Sequence, residues 1–85
     1  MVLTLRGNVS LAETEDGIAL LDEDAGQYWM LNPTGAMVLR TLLSGGSPDD
    51  AVHRITQEYQ VDADTAGRDV TQLVAELCSV GLVEQ

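Results

Sequence analysis

Lysine is absent from this chain, and the only arginines are Arg6, Arg40, Arg54 and Arg68, set against 14 carboxylates for a formal charge of -10. Nucleic-acid binding draws much of its affinity from lysine and arginine neutralising phosphates, so this balance excludes DNA and RNA as partners. Anionic membrane surfaces are excluded for the same reason. Cysteine occurs once, at Cys78, which rules out an intramolecular disulfide and points to a reducing, cytoplasmic setting. One histidine and one cysteine cannot complete a structural zinc site. The acidic clusters Glu13-Glu15-Asp16 and Asp22-Glu23-Asp24 lack the spacing and glycine of a calcium loop, so they imply solvated turns and no metal. No apolar run approaches membrane-spanning length, and the segment from Met1 to Asn8 has neither the basic end nor the apolar stretch of a signal peptide.

Catalytic groupings are missing too. Nucleophilic chemistry needs Cys78 or a serine beside a base, yet the single histidine, His53, falls early in a helical segment and Cys78 lies in an apolar helical pattern. Gly45-Gly46-Ser47 follows a helix and carries no lysine, so it stops a helix and does not cradle phosphate. An acyl carrier would be helical from near its start and show Asp-Ser-Leu, whereas Ser47 here precedes Pro48. The chain is therefore expected to be non-enzymatic and to need no cofactor.

What is present is a change of period. Leu3, Leu5, Val9 and Leu11 alternate with Thr4, Arg6, Asn8 and Ser10, describing a half-buried strand that Gly7 bends or bulges. Glu13 to Gly17 supplies a turn ending in Asp-Gly, Ile18 to Leu21 a second strand, and Gln27 to Leu31 a third. Such short connections predict an antiparallel meander with the second strand central. After Asn32 and Pro33, a cap and a first helical residue, three helices follow. Ala36, Val38, Leu39, Leu42 and Leu43 form the first stripe, and Val52, Ile55 and Tyr59 the second, after the Ser47 cap. The third, opened by Val61 and Asp62, buries Ala66, Val70, Leu73, Val74 and Leu77 and closes at Gly81. Residues 1–85 thus make one α+β domain, a three-stranded antiparallel sheet followed by three helices, winged-helix-like.

The third strand, Gln27-Tyr28-Trp29-Met30-Leu31, is apolar or aromatic after its first residue. It carries no lysine, proline or charge to discourage another chain from pairing with it. Period two sends Trp29 and Leu31 to one face and Tyr28 and Met30 to the other, so apolar groups project from both faces. A peptide added to this edge would gain main-chain hydrogen bonds, with the last helix as second wall and Asp69, Gln72 and Glu76 as its polar flank. Those carboxylates favour a basic or neutral peptide. The competing reading is a structural or regulatory subunit that homodimerises through the same edge.

The pattern Asp22-x-x-x-Gly26-x-Tyr28-x-x-Leu31-Asn32-x-x-Gly35, with the aliphatic helix after it and Asp69-Val70…Leu73…Leu77…Gly81-Leu82 at the end, resembles the PqqD-like peptide chaperones. Within that family it looks most like the stand-alone leader-peptide-binding proteins of lasso-peptide biosynthesis, the RiPP precursor recognition elements. The resemblance implies a non-catalytic module in which the leader of a ribosomally made precursor adds as a strand along Gln27, Tyr28, Trp29, Met30 and Leu31. It would lie against Asp69, Val70, Leu73, Glu76 and Leu77. The partners so implied are the precursor leader, a separate cysteine protease that removes it, and a cyclase.

Overall fold

The computed structural model describes residues 3–85; Met1 and Val2, which begin the segment read as signal-free, lie outside them. Five strands and three helices run in the order β1 (Thr4–Leu5), β2 (Val9–Thr14), β3 (Gly17–Asp22), β4 (Gln27–Leu31), α1 (Pro33–Leu43), α2 (Pro48–Tyr59), α3 (Ala63–Ser79) and β5 (Val83–Glu84). The strands β2, β3 and β4 form the expected antiparallel meander, with β3 in the middle.

One strand differs from expectation. The alternating segment from Leu3 to Leu11 does not continue through Gly7: it breaks at Arg6–Asn8, where the Val9 N–H donates to the Arg6 carbonyl at 3.0 Å. Its first half, β1, leaves the meander and pairs with β5, Thr4 opposite Glu84 and Leu5 opposite Val83. Two-residue strands carry no period of their own, so this pairing is held by burial. Leu3, Leu82 and Val83 are buried in the common core, and the Arg6 N–H donates to the Leu82 carbonyl at 3.1 Å.

The helices begin where short polar side chains satisfy otherwise orphaned N–H groups. Asn32 accepts from the Gly35 N–H and Asp62 from the Thr65 N–H, while Ser47 and Asp50 form a reciprocal capping box. Pro33 and Pro48 occupy first helical positions, where the missing N–H costs nothing. Helix α1 packs on β3 and β4, and α2 and α3 pack on α1 and on each other. The core so formed takes Ile18 and Leu20 from the sheet and Leu39, Leu42, Ile55, Val70 and Leu77 from the helices. Ala51 replaces Tyr59 on the buried face of α2. Tyr59 is the last residue of the helix and is 42% exposed.

Two glycines are required by the backbone. Gly17 opens β3 with φ of 150°, and a Cβ there would run into the Leu31 carbonyl across the ladder. Gly26 closes the β3–β4 turn with φ of 69° and donates to the Asp22 carbonyl at 2.7 Å. The first hairpin turn consists of Glu15 and Asp16, since Thr14 already pairs with Gly17.

Candidate functional site: the β4 edge and its cleft

The direction of every backbone group on β4 follows from one hydrogen bond. The Glu23 N–H donates to the Asn8 carbonyl at 2.8 Å, and Asn8 and Glu23 continue the β2–β3 register, so the odd positions of β3 address β2. Antiparallel pairing alternates, so Ile18, Leu20 and Asp22 address β4, through Leu31, Trp29 and Gln27. The N–H and C=O groups of Tyr28 and Met30 therefore point away from the sheet. These four groups are the free edge.

Side chains alternate across the same strand. Trp29 and Leu31 turn toward the helices and are half-buried, whereas Tyr28 and Met30 stand on the opposite face, 71% and 66% exposed. Gln27 is exposed at the strand's start. Several residues of the Asp22-to-Gly35 pattern hold this strand at its ends. The Asp22 carboxylate accepts from the Asn8 side chain at 2.9 Å and from the Asp24 and Ala25 N–H groups, each at 3.1 Å. The Ala25 N–H chiefly, then Asn8 and Asp24, hold the Asp22 carboxyl below its ordinary range. This acidic turn is thus more than a solvated loop. At the other end Asn32 caps α1 through the Gly35 N–H at 2.7 Å, and Gly35 leaves room beside Leu73 of α3.

The other edge, β2, is guarded. Glu13 on β2 and Arg40 on α1 form a bidentate pair, with Nε and Nη2 of Arg40 donating at 2.7–3.2 Å. That hydrogen bonding lowers the Glu13 carboxyl and raises the Arg40 guanidinium. An inward-turned charge on an edge strand disfavours pairing with another chain, and β4 has none.

Because α1 covers the sheet and α3 packs on the other helices, a cleft opens between β4 and α3. The cleft, about 500 Å³, is floored by Trp29 and walled by Gln72, Ala75, Glu76, Ser79 and Val80. A second hollow, about 380 Å³, lies past the end of β4 and is lined by Asn32 and Gly35 with Asp69, Leu73, Val38, Ile55 and Val61. Of the residues expected from the sequence, Glu76 lines the cleft, and Asp69 and Leu73 line the second hollow. Val70 and Leu77 do not: at 2% and 3% exposed they point into the core and support α3 from behind. Gln72, Ala75, Ser79 and Val80 line the cleft in their place, on the helical row flanking the buried stripe. His53 is exposed on α2 and Cys78 half-buried on α3, with no hydrogen bond between them. Among the described residues no three histidine, cysteine or acidic side chains gather as a metal would require, and no helix is long and apolar enough to cross a membrane.

An uncharged free edge beside an apolar-floored cleft defines a small winged-helix-like recognition module. Residues 17–83 match the family of coenzyme PQQ synthesis protein D (PqqD), and the chain belongs to that family as a PqqD-like RiPP recognition element. Among solved structures it is similar to a lasso peptide synthetase B1 complexed with the leader peptide, with 39% identity, TM-score 0.92 and full coverage of both chains. It is also similar to TbiB1 in complex with the TbiA(beta) leader peptide, with 30% identity, TM-score 0.84 and coverage of 95% of this chain and 94% of that one. No curated protein sequence matches. The resemblance read from the Asp22-to-Gly35 pattern is borne out.

Proposed function

We propose that this chain is a non-catalytic module that captures the leader peptide of a ribosomally made precursor, of the lasso class, and holds it for a separate cysteine protease. Support comes from family membership and from two similar proteins whose solved structures contain leader peptides. The observation that carries the binding mode is the edge itself. Tyr28 and Met30 offer two donors and two acceptors in a strand free of charge, next to a cleft deep enough for side chains.

The leader lies antiparallel to β4, its alternate side chains entering the cleft against Trp29, Leu31, Leu73 and Val80. Asp69 and Glu76 at the rim select against acidic leaders. Holding the leader raises the local concentration of the cleavage site for the protease, which supplies the nucleophile that this chain lacks. A cyclase then acts on the released product.

The test is a fluorescence-anisotropy titration with the leader peptide of any short precursor gene found adjacent to the gene for this chain. Met30→Pro removes one edge donor and leaves a peptide carbonyl unpaired, weakening binding by about 1–3 kcal/mol, or about five- to 150-fold. A folded Met30→Pro protein that binds like the wild type would exclude strand addition at β4.

A further inference from the structure

The turn that delivers β4 is shaped from within and tied down from without. Within it, Oδ1 of Asp22 accepts from the Asp24 and Ala25 N–H groups, each at 3.1 Å, and the Asp22 carbonyl accepts from the Gly26 N–H at 2.7 Å. Those bonds give the turn its form but do not join it to the rest of the fold. Among the described residues, Asn8 alone reaches it by hydrogen bonds from outside the β3–β4 hairpin, and it does so twice. Its side-chain amide donates to Oδ1 of Asp22 at 2.9 Å, and its carbonyl accepts from the Glu23 N–H at 2.8 Å. Asn8 is itself anchored. It lies in the turn from Arg6 to Val9, closed by the Val9 N–H on the Arg6 carbonyl, and the Arg6 N–H donates in turn to the carbonyl of fully buried Leu82. A chain of hydrogen bonds therefore runs from the core to the start of β4. The stretch matched to the family begins at residue 17, so Asn8 stands outside it.

We infer that Asn8 is a positioning residue for leader capture: by tying the Asp22-to-Gly26 turn to the Arg6-to-Val9 turn, it holds Tyr28 in strand geometry before the leader arrives. The inference rests on strand addition at β4. The backbone groups of Tyr28 face the open edge, so this residue is kept in line only by the rungs on either side, Trp29 with Leu20 and Gln27 with Asp22. The Gln27 rung is the last of the ladder, and a terminal rung frays unless the turn beyond it is fixed. A peptide that pairs with a frayed strand must order it on binding, at a cost in affinity; a strand ordered beforehand spares that cost.

The residue type fits this task. Oδ1 of Asp22 already accepts two N–H groups, so a third partner has to be a donor, and asparagine supplies one without charge. Aspartate in its place would set two carboxylates at hydrogen-bond distance, and alanine would cut the side-chain tie. The effect is also local in the peptide. A strand antiparallel to β4 leaves the sheet at the Gln27 end, so the leader residues that pair with Tyr28 are those nearest its carboxyl end, while Met30 is met earlier. Asn8 thus governs how firmly the last part of the leader strand is held.

Anisotropy titrations of the full chain with the same leader peptide, and with a series shortened from its carboxyl end, test this. Asn8→Ala should weaken the full leader about three- to tenfold while circular dichroism shows the wild-type fold. Peptides that reach Met30 but not Tyr28 should bind variant and wild type alike. Asn8→Asp gives a second reading. Repulsion from Asp22 should weaken binding about tenfold at about pH 7, and the ratio to the wild type should recover as pH falls through about 5, where one carboxylate of the pair takes up a proton and donates. Arg6, Glu23 and Asp24 flank the pair in both proteins and cancel from that ratio. A folded Asn8→Ala protein that binds the full leader like the wild type overturns the role of Asn8 and leaves strand addition standing, as does a penalty equal across the peptide series. Should Asn8→Ala fail to fold, a ratio for Asn8→Asp that does not move with pH overturns it. A leader that fails to bind the wild type removes strand addition and this inference together.

Discussion

Trp29 and Met30 are adjacent in sequence and opposite in where both side chain and backbone point. The Trp29 side chain floors the cleft while its backbone is bonded to Leu20; the Met30 side chain stands on the open face while its backbone faces the free edge. One strand thereby serves the core, the cleft, the edge and the outer face at once.

Proline separates these roles. Trp29→Pro removes a ladder hydrogen bond to β3 and is expected to cost about 3 kcal/mol or more, whereas Met30→Pro removes only an edge donor. Urea denaturation followed by circular dichroism should show a collapse in stability for the first variant and a small change for the second. A larger loss for Met30→Pro than for Trp29→Pro would mean that the hydrogen-bond parity assigned to β4 is reversed.

The carboxylates at the rim of the cleft predict a charge preference. Glu76→Lys should weaken binding of a leader carrying lysine or arginine by about two- to fivefold, the range of exposed ion pairs. The difference from the wild type should shrink as salt rises, which titrations at two ionic strengths would measure. A salt-independent loss would instead signal damage to cleft packing.

Acid sensitivity follows from the turn before β4. Asp22 has a folded pKa below its unfolded value of about 3.9, so its contribution is fully present well above that pH and is lost as pH falls through the lowered folded value. Asp22→Ala should therefore be less stable than the wild type at neutral pH, and the gap should close in the acid range. Thermal melts of the pair across pH give the comparison. A gap that persists at the lowest pH would show that the turn does not depend on the carboxylate's charge.

The meander, the three helices and their caps were legible because each has a local cause. Asn32-Pro33, Ser47-Pro48 and Asp62 announce helix starts within a few residues, and the helical stripes mark what faces the core. The β1–β5 pairing was not legible, since it joins residues about 80 positions apart through strands too short to show a period. The cleft was half legible. A buried stripe identifies Val70 and Leu77, but the cleft beside Trp29 is lined by the flanking row, where Gln72, Ala75 and Ser79 look like any solvated helix surface. Leu73 falls on the buried stripe yet is half-buried, lining the second hollow beside Gly35.

Amide hydrogen exchange with and without leader tests strand addition most directly. In the free protein the Tyr28 and Met30 amides face the open edge, while those of Trp29 and Leu31 are already bonded to β3. Leader binding should slow exchange at Tyr28 and Met30 far more than at Trp29 and Leu31. Saturating leader that protects α3 amides but leaves Tyr28 and Met30 unchanged would contradict the account, because the peptide would then occupy the cleft without extending the sheet.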